Sequence, residues 1–201
     1  MPPAIDFEKI AAQIHHYYSA RWPNPELPAE YDKLAETMKE DNRAAARRIS
    51  EVLAMAGLCL VPNEGQPWTR EEQDEILGII NENLELLAEA EHDGWLAARL
   101  RQGWKLGPEK SISLREHYLL APYPEFEKRV LIMLMHQWEK AKLEKRMDQE
   151  QAEATKPNAA DIRAEVEKQR DKDRDSVRNY VEIIRGTDYR IVWEQNAEDV
   201  C

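Results

Sequence analysis

EHDGWLAARLRQGWKLG, residues 91–107, is the stretch of sequence from which the fold of this chain can be predicted. Its apolar residues recur at helical spacing, and two glycines then predict a turn that ends the helix. Trp95 and Trp104 flank that turn. The stretch therefore predicts either a well-anchored helix end or the wall of a binding site.

Helical periodicity dominates the sequence on both sides of this stretch, and we predict a mainly α fold. Thr69 and Glu72 form a capping-box pattern at the start of one helix, in which Gly78 is a weak point. Short strands are predicted at 58–61 and 189–192, and they could pair. Because strands and helices do not alternate as βαβ units, a parallel nucleotide-binding sheet is not expected. Helices are predicted at 7–20, 29–37, 70–101, 125–153 and 159–184, and one helical turn is predicted at 113–116. Another helix, capped by Asp41 or Asn42, is predicted to run to residue 56.

The composition excludes several classes of function. Charged residues make up 33% of the 201 residues, and the formal net charge of −11 disfavours binding to nucleic acid polymers or to anionic membranes. The longest apolar run, 130–135, is too short to span a membrane, and the N-terminus lacks the pattern of a secretory signal. We expect a cytoplasmic protein in which Cys59 and Cys201 are free thiols, with a disulfide between them as the alternative.

The chain contains an internal repeat. Residues 42–61 align with 173–192, and residues 8–20 align with 85–97, in the same order but with different offsets. The first alignment matches arginines and the second matches His15 with His92. Two copies of such a unit usually pack together and share one core.

The second copy resembles a known family. The segments LAEAEHDGWLAARLRQGWKLGPEKS, LLAPYPEF and KDRDSVRNYVEIIRGTDYRIV are similar to the RyR domain, the repeat named for the ryanodine receptors. The first copy, from IAAQIHHYYSARW to LCLVP, resembles the divergent copy that precedes it in some bacterial members. The chain departs from the family pattern after Trp22, where prolines replace the Gly-Trp-x-x-Gly turn, and in a long insertion. We therefore divide the sequence into a divergent RyR-like half, 1–62, and a second half, 63–201, with a helical insertion at about 129–168.

The resemblance implies a mainly helical, non-enzymatic module. Bacterial members of the family imply a role in signalling, either as sensors of nucleotide-derived ligands or as modules that bind partner proteins. The chain contains no channel segment, so the resemblance does not imply calcium release. The protein could therefore bind a small anionic ligand in a groove between the two halves.

Four arginines are the candidate anion-binding residues. Each half contains a pair at i and i+4 spacing near a helix start, where backbone N–H groups also favour anions. Guanidinium groups suit phosphate or carboxylate because they donate two parallel hydrogen bonds. The alternative is that these arginines pair with nearby aspartates, Asp41, Asp171, Asp173 and Asp175, on the surface. The four candidates are Arg43, Arg47, Arg174 and Arg178.

Aromatic residues are the candidate ring-binding residues. Exposed rings could stack on a nucleobase, whereas buried rings would only anchor the core. Trp95 shares a helix stripe with apolar residues, which favours the core, whereas Trp104 and Tyr123 leave both alternatives open. Tyr18 and His92 complete the predicted ligand-binding set. The matched histidines favour structural hydrogen bonds.

Catalytic and metal-binding motifs do not occur in the sequence. We find no G-x-S-x-G, no cysteine beside a base, no H-E-x-x-H and no Cys-x-x-Cys pattern. We therefore predict no catalytic residue, no metal site and no cofactor.

The helical insertion supports a second functional hypothesis. Residues 130–135 are apolar on several sides of their helix, so this helix needs more than one neighbour. That neighbour could be the core of the same chain, a second copy in a homodimer or an effector protein. A module that binds proteins through residues 125–168 is thus the alternative to the ligand sensor.

Overall fold

A computed structural model describes residues 4–63, 65 and 67–193 of the chain. The predicted mainly α fold is confirmed, because seven α-helices and only short strands make up the regular structure of these residues. The elements are α1 (Phe7–Arg21), α2 (Glu36–Ala54), β1 (Leu58–Pro62), α3 (Arg70–Glu82), α4 (Leu84–Arg101), β2 (Lys105–Leu106), β3 (Glu116–His117), α5 (Phe126–Glu144), α6 (Gln149–Ala154), α7 (Ala159–Arg185) and β4 (Tyr189–Trp193).

The two predicted strands pair as expected. β1 and β4 form an antiparallel two-stranded sheet in which Leu60 lies opposite Ile191. Both of these side chains are buried, so one face of the sheet contributes to the core. β2 and β3 form a second, very short parallel pair.

Two helix starts follow the signals in the sequence. The Asp6 carboxylate accepts hydrogen bonds from the backbone N–H groups of Glu8 and Lys9 at the start of α1. At the start of α3, the Thr69 hydroxyl accepts from the Glu72 backbone, and the Glu72 carboxylate accepts from the Thr69 backbone. The predicted capping box is therefore confirmed.

The predicted helix at 29–37 is wrong. Only a single 3₁₀ turn, Tyr31–Lys33, forms there, because Leu34 takes an extended conformation with φ −65° and ψ 148°. The side chains of Tyr31 and Leu34 are buried, and this packing outweighs local helix propensity. α2 then begins at Glu36, earlier than predicted, and Asn42 lies inside it, donating its side-chain amide to the Met38 carbonyl.

Three further boundaries differ from the predictions. The helix expected at 70–101 breaks at Asn83 rather than at Gly78, and the Asn83 amide donates to the Ile79 carbonyl. The helix expected at 125–153 breaks after Glu144, where Arg146 has a positive φ of 49° and Asp148 caps α6. Residues 113–116 belong to a hairpin turn and β3 instead of a helical turn.

The chain divides by packing into two compact units. Unit 1 contains the residues up to Glu91 together with those from Asp173 onward, and unit 2 is His92–Lys172. The boundary thus lies within α4 and within α7. These units are defined by packing, whereas the halves 1–62 and 63–201 were defined by the sequence repeat, and their bounds differ.

Each unit has its own core. The largest fully buried side chains of unit 1 come from α1, α2, β1, α3, α4, α7 and β4: Ile10, Ile49, Leu53, Leu58, Ile80, Leu87, Val177, Ile183, Ile184 and Ile191. The core of unit 2 is smaller, with Phe126, Val130 and Met133 of α5 against Val166 of α7, beside Leu119 and Tyr123. None of the helices in the described ranges has the length and apolarity needed to cross a membrane.

Cys59 is disulfide-bonded, so the expectation of a free thiol at this position is wrong. The other cysteine of the sequence, Cys201, lies outside the described residues. The compartment remains a prediction.

Candidate functional site

The two halves of the sequence make the same long-range ion pair. The Arg43 guanidinium donates to both carboxylate oxygens of Glu8, at 2.6 and 3.1 Å. Its counterpart Arg174 donates to both oxygens of Glu85, at 2.7 and 2.9 Å. The sequence repeat aligns Glu8 with Glu85 and Arg43 with Arg174, so the repeat extends to specific contacts.

The aligned histidines also make equivalent contacts. His15 donates through Nε2 to the Pro28 carbonyl at 2.9 Å, and His92 donates through Nε2 to the Ala121 carbonyl at 2.9 Å. Each of these carbonyls precedes a short 3₁₀ turn, and each turn begins with a tyrosine near the histidine ring. The histidines therefore hold the chain segment that follows their helix.

The four candidate arginines are all engaged with groups of the protein itself. Arg43 also contacts Glu36 and Glu40, and hydrogen bonds to Glu8 and Glu36 raise the pKa of its guanidinium. Arg47 donates to Glu40 at 2.6 Å. An anion at Arg43 or Arg47 would therefore have to displace carboxylates that are already bound.

The arginines of the second half have partners as well. Arg174 binds Glu85, while Arg178 donates to Asn81 and pairs with Asp175 at 3.2 Å. Pairing with Asp175 is one of the surface interactions that the sequence offered as the alternative to an anion site.

A nearly buried ion pair involves two residues that were not predicted to pair. Arg48 of α2 donates to both oxygens of Glu91 on α4, at 2.6 and 2.9 Å, and the Tyr180 hydroxyl of α7 donates to Glu91 at 2.5 Å. The Arg48 and Glu91 side chains are only 11% and 10% exposed. Burial and the Glu91 charge raise the pKa of Tyr180 well above its usual value. Burial alone would lower the pKa of Arg48, but Glu91 outweighs it and the pKa is raised.

This cluster could not be predicted from residue spacing along a single helix, because its members lie on different helices. Arg48 lies next to the candidate Arg47 in the sequence, and Glu91 is 43 residues away from it on another helix. The available signal was the position of Glu91 on the same stripe as Leu87 and Trp95, because a carboxylate on a buried face needs a partner.

A hollow of about 400 Å³ lies in unit 1 at the C-terminal end of α1, and we call it the α1 hollow. Tyr18 and Trp22 lie on one of its walls with their rings stacked at 5.7 Å and 28°. The Trp22 backbone N–H donates to the Tyr18 carbonyl at 2.8 Å, which keeps the two residues one helical turn apart. Residues 15–29 supply the whole lining, and no Asp, Glu, Lys or Arg side chain is among the lining residues.

The aromatic wall is anchored on one side and open on the other. Burial raises the pKa of Tyr18, although hydrogen bonding to Ser176 and Asn179 acts in the opposite direction. Trp22 is 63% exposed. A flat ligand could therefore reach the indole without rearrangement of the core.

In the second half, other side chains cover the helix position that corresponds to Tyr18. The repeat aligns Tyr18 with Trp95, and the His117 ring packs on Trp95 with its centroid at 5.1 Å. Tyr118 in turn stacks on His117 at 5.0 Å and 8°. These covering residues belong to the segment 100–120, which lies between the helix of His92 and the Ala121 carbonyl that His92 contacts. In the first half, the equivalent segment between the helix of His15 and the Pro28 carbonyl is only residues 23–27. The α1 hollow is open because the first half lacks this segment.

The predicted aromatic residues of the second half lie in unit 2, and they pack mainly on one another. The His92 ring contacts Trp95, Tyr123 and Phe126, and His92 and Tyr123 are buried. Trp104 is half-buried beneath the Arg99 guanidinium, which lies 5.1 Å from its ring centroid. Of the nine predicted ligand-binding residues, Tyr18 is the one that lines the α1 hollow.

His117 is held in its neutral form. Its Nδ1 accepts a hydrogen bond from the Leu119 backbone N–H at 3.1 Å, which requires an unprotonated nitrogen. Burial, reinforced by the charge of Lys110, lowers the pKa of His117 to about 4. The ring therefore behaves as an uncharged packing group at neutral pH.

A second hollow, of about 230 Å³, lies between α3 and β4 in unit 1. Arg190 and Glu72 approach each other there at 3.9 Å, beside the rings of Trp68 and Trp193. Across the described part of the chain, no three His, Cys, Asp or Glu side chains converge in a way that could hold a metal ion.

Comparison with known proteins finds a family match within the second half. No curated protein matches the chain. The model of the RyR domain family matches residues 76–136, which include the end of α3, all of α4, the β2–β3 segment and most of α5. The resemblance predicted from the histidine–tryptophan helix and the glycine turn is therefore confirmed for residues 76–136, which match the RyR domain.

Proposed function

We propose that this RyR-domain chain is a non-enzymatic binding module that takes the planar ring of a small molecule, such as a nucleobase, in the α1 hollow. The observation that carries the proposal is the Tyr18–Trp22 ring pair, with its exposed indole, on the wall of a hollow of about 400 Å³. This volume lies in the range of small-molecule sites, about 300–1,000 Å³. Stacking on an aromatic side chain contributes about 1–3 kcal/mol per base.

The polar groups of the hollow suit an uncharged ring with hydrogen-bonding edges. The Ser19 hydroxyl lies 3.4 Å from His15 Nε2, and the Asn24 side-chain amide can donate to a ligand. The carbonyl groups at the C-terminal end of α1 carry a partial negative charge, which disfavours a phosphate at this position. The nucleotide-derived ligand predicted from the sequence would therefore be recognised through its base.

The anion-binding role of the arginines is the competing form of the same proposal. In that form, phosphate would replace the carboxylates of Glu8, Glu40 or Glu85 on their arginine partners. The two forms make different predictions about which part of a nucleotide is needed for binding. We favour the ring-binding form because the four arginines already have acidic or amide partners.

Calorimetry with the full chain distinguishes the two forms. Adenosine, AMP and ribose 5-phosphate are titrated at one ionic strength. We expect adenosine and AMP to bind with dissociation constants within about threefold of each other, and ribose 5-phosphate to give no heat. Trp22→Ala should weaken adenosine binding about tenfold or more, because it removes the stacking surface. Trp193→Ala, which removes another partly exposed indole, is the matched control and should leave binding unchanged.

Two results would contradict the ring-binding proposal. One is the absence of heat with both adenosine and AMP. The other is binding of AMP but not adenosine, with the affinity lost in Arg43→Ala or Arg174→Ala and kept in Trp22→Ala. That second result would establish the anion site predicted from the sequence.

A protein-binding role through residues 125–168 is the second candidate. One face of α5 packs in the core of unit 2 through Phe126 and Val130, while Leu131 and Ile132 are each 40% exposed and Leu143 is 76% exposed. Exposed aliphatic side chains along one helix are the kind of surface that a second copy or an effector protein covers.

Light scattering after size-exclusion chromatography tests this second role. If α5 forms a homodimer, the wild-type chain should show twice the monomer mass of 23.5 kDa, and Leu131→Lys together with Leu143→Lys should restore the monomer. A monomeric wild-type chain at high micromolar concentration would remove the homodimer from consideration and leave only an effector protein as the partner.

A further inference from the structure

The segment that runs from the last residues of α4 to the start of β3 exposes an unusual number of aliphatic side chains. We call residues 99–116 the basic hairpin segment. Ile112 and Leu114 at its tip are 76% and 66% exposed, and Leu100 and Leu106 are 53% and 40% exposed. A single exposed leucine needs no explanation, but four within one short segment are typical of a surface that another molecule covers.

The tip of this segment is held in a defined conformation. Ser111 and Glu116 exchange two backbone hydrogen bonds at 2.9 Å, and the Arg115 N–H donates to the Ile112 carbonyl at 3.2 Å. Arg115 has a positive φ of 52°, which is uncommon for a residue with a side chain. These bonds display Ile112 and Leu114 on a closed turn, so little conformational entropy would be lost when a partner binds them.

A second set of bonds ties the turn to the end of α4. The Lys105 N–H donates to the Arg115 carbonyl at 2.8 Å, and the Arg115 side chain donates to the Gln102 carbonyl at 3.1 Å. Gly103, with φ of 80°, lets the chain leave α4 in the direction these bonds require. The aliphatic tip and the basic end of the helix therefore belong to one connected structure.

The charge of the segment is opposite to that of the chain. Residues 99–116 contain five basic and two acidic side chains, a net charge of +3, whereas the whole chain has a net charge of −11. The basic residues are Arg99, Arg101, Lys105, Lys110 and Arg115.

The cations of this segment also differ from the arginines described above. Within the described ranges, Arg101, Lys105, Lys110 and Arg115 have no ion pair, although Arg43, Arg48 and Arg174 each bind carboxylates of the chain. In a chain with a large excess of acidic residues, four cations without carboxylate partners leave a local positive potential.

We propose that the basic hairpin segment is a docking surface for an acidic protein segment that carries aliphatic or aromatic side chains. Its carboxylates bind the cations of residues 101–115, and its apolar side chains cover Ile112 and Leu114. Complementary charge speeds association and selects the partner, while the aliphatic tip supplies the apolar area. The proposal is independent of the ligand in the α1 hollow.

The charge distribution favours a protein segment over an anionic membrane. A peptide contacts only the local surface, and at physiological ionic strength charges beyond about 8 Å are largely screened. A bilayer is an extended anionic surface that meets more of the molecule, and the net charge of −11 opposes its approach.

Selection from a random peptide library tests the proposal. A displayed library of 16-residue random peptides is selected on the full chain, and the enriched peptides are sequenced and measured by fluorescence anisotropy. We expect enriched peptides to be acidic and to contain leucine, isoleucine or aromatic residues. Their affinity should fall at least tenfold between 50 and 300 mM salt, because the charges at this surface are exposed.

Matched variants locate the binding surface. Ile112→Ser with Leu114→Ser, and separately Lys110→Glu, should each weaken peptide binding at least tenfold. Leu86→Ser, which changes an aliphatic side chain that is 47% exposed on α4, and Lys128→Glu on α5 are the controls and should leave peptide binding unchanged. Circular dichroism confirms that the variants are folded.

Four outcomes overturn the proposal. They are a selection that yields no binder, enriched peptides without an excess of Asp and Glu, binding that the tip variants do not weaken, and a wild-type dimer that becomes monomeric in the tip variants. The last would show that a second copy covers the tip. Sedimentation with phosphatidylserine vesicles adds a fifth, because vesicle binding that depends on Ile112 and Leu114, without peptide binding, would assign the surface to a membrane.

Discussion

Removal of Arg48 is the sharpest test of how unit 1 is held together. The Arg48 guanidinium makes two hydrogen bonds to the Glu91 carboxylate, at 2.6 and 2.9 Å, and both side chains are about nine-tenths buried. Arg48→Met keeps much of the apolar stem and removes the charge. Glu91 is then left as a buried carboxylate with the Tyr180 hydroxyl as its remaining partner in this cluster.

The expected cost follows from the burial of the pair. Removing one partner of a buried ion pair typically destabilises a protein by about 3–5 kcal/mol, because the remaining charge is uncompensated. We expect the lower end, about 3 kcal/mol, since Tyr180 still donates to Glu91. With a urea dependence of about 2 kcal/mol per molar, the unfolding midpoint should fall by about 1.5 M.

The double variant separates charge from packing. Arg48→Met together with Glu91→Leu removes both charges, so it should be more stable than Arg48→Met alone despite carrying the additional substitution. We expect a coupling energy of about 2 kcal/mol or more between the two positions. Urea unfolding followed by far-ultraviolet circular dichroism at pH 7 measures the free energies of unfolding of the wild type, the two single variants and the double variant.

The neighbouring residue provides the control. Arg47 is also on α2, but its side chain is 46% exposed and its ion pair is with Glu40, which is 49% exposed. Arg47→Met should therefore cost less than about 1 kcal/mol. The reasoning is refuted if Arg48→Met costs no more than Arg47→Met, or if the effects of Arg48→Met and Glu91→Leu are additive.

Other measurements test separate parts of the structure. Thr69→Ala removes the hydroxyl that caps α3 and should lower the free energy of unfolding by about 1 kcal/mol, whereas an unchanged value would mean that Glu72 alone suffices as the cap. Arg174→Ala breaks the pair with the largely exposed Glu85 and should cost about 1 kcal/mol or less; a loss above about 3 kcal/mol would show a buried network instead. The pKa of His117 is about 4 in the folded chain against an ordinary 6.5, so as the pH falls His117 is protonated in the unfolded chain before it is protonated in the folded chain. Stability should therefore be full above pH 6.5 and decline between about pH 6.5 and 4, by about 1–2 kcal/mol because the ring is partly solvated. His117→Gln should lack this part of the pH dependence, and a nuclear magnetic resonance titration that gives an ordinary pKa for His117 would contradict the assignment.

Signals within a few residues predicted the elements well. α1, β1, α7 and β4 lie close to their predicted positions, and β1 pairs with β4. The errors arose where packing outweighed propensity. Residues 29–37 have a helix-compatible sequence, but burial of Tyr31 and Leu34 holds the chain in a 3₁₀ turn and an extended residue.

The candidate site was harder to predict, because it depends on contacts between distant residues. The repeat correctly aligned Arg43 with Arg174, but spacing along a helix cannot show that Glu8 and Glu85 bind them. In the sequence, Trp22 marked only the point where the chain departs from the family pattern, although its ring and that of Tyr18 line the α1 hollow. A comparison of 23–27 with 100–120 could have indicated which half lacks a covering segment.

The sequence by itself determined the helical class, the repeat and the RyR resemblance, because periodicity, caps and motif spacing are local properties of a chain. Only the tertiary structure decided that Arg48 and Glu91, 43 residues apart, form the buried ion pair, and that the ring pair of α1 borders an open hollow. Which carboxylate meets which guanidinium depends on how the helices pack, and many pairings are compatible with the same local pattern.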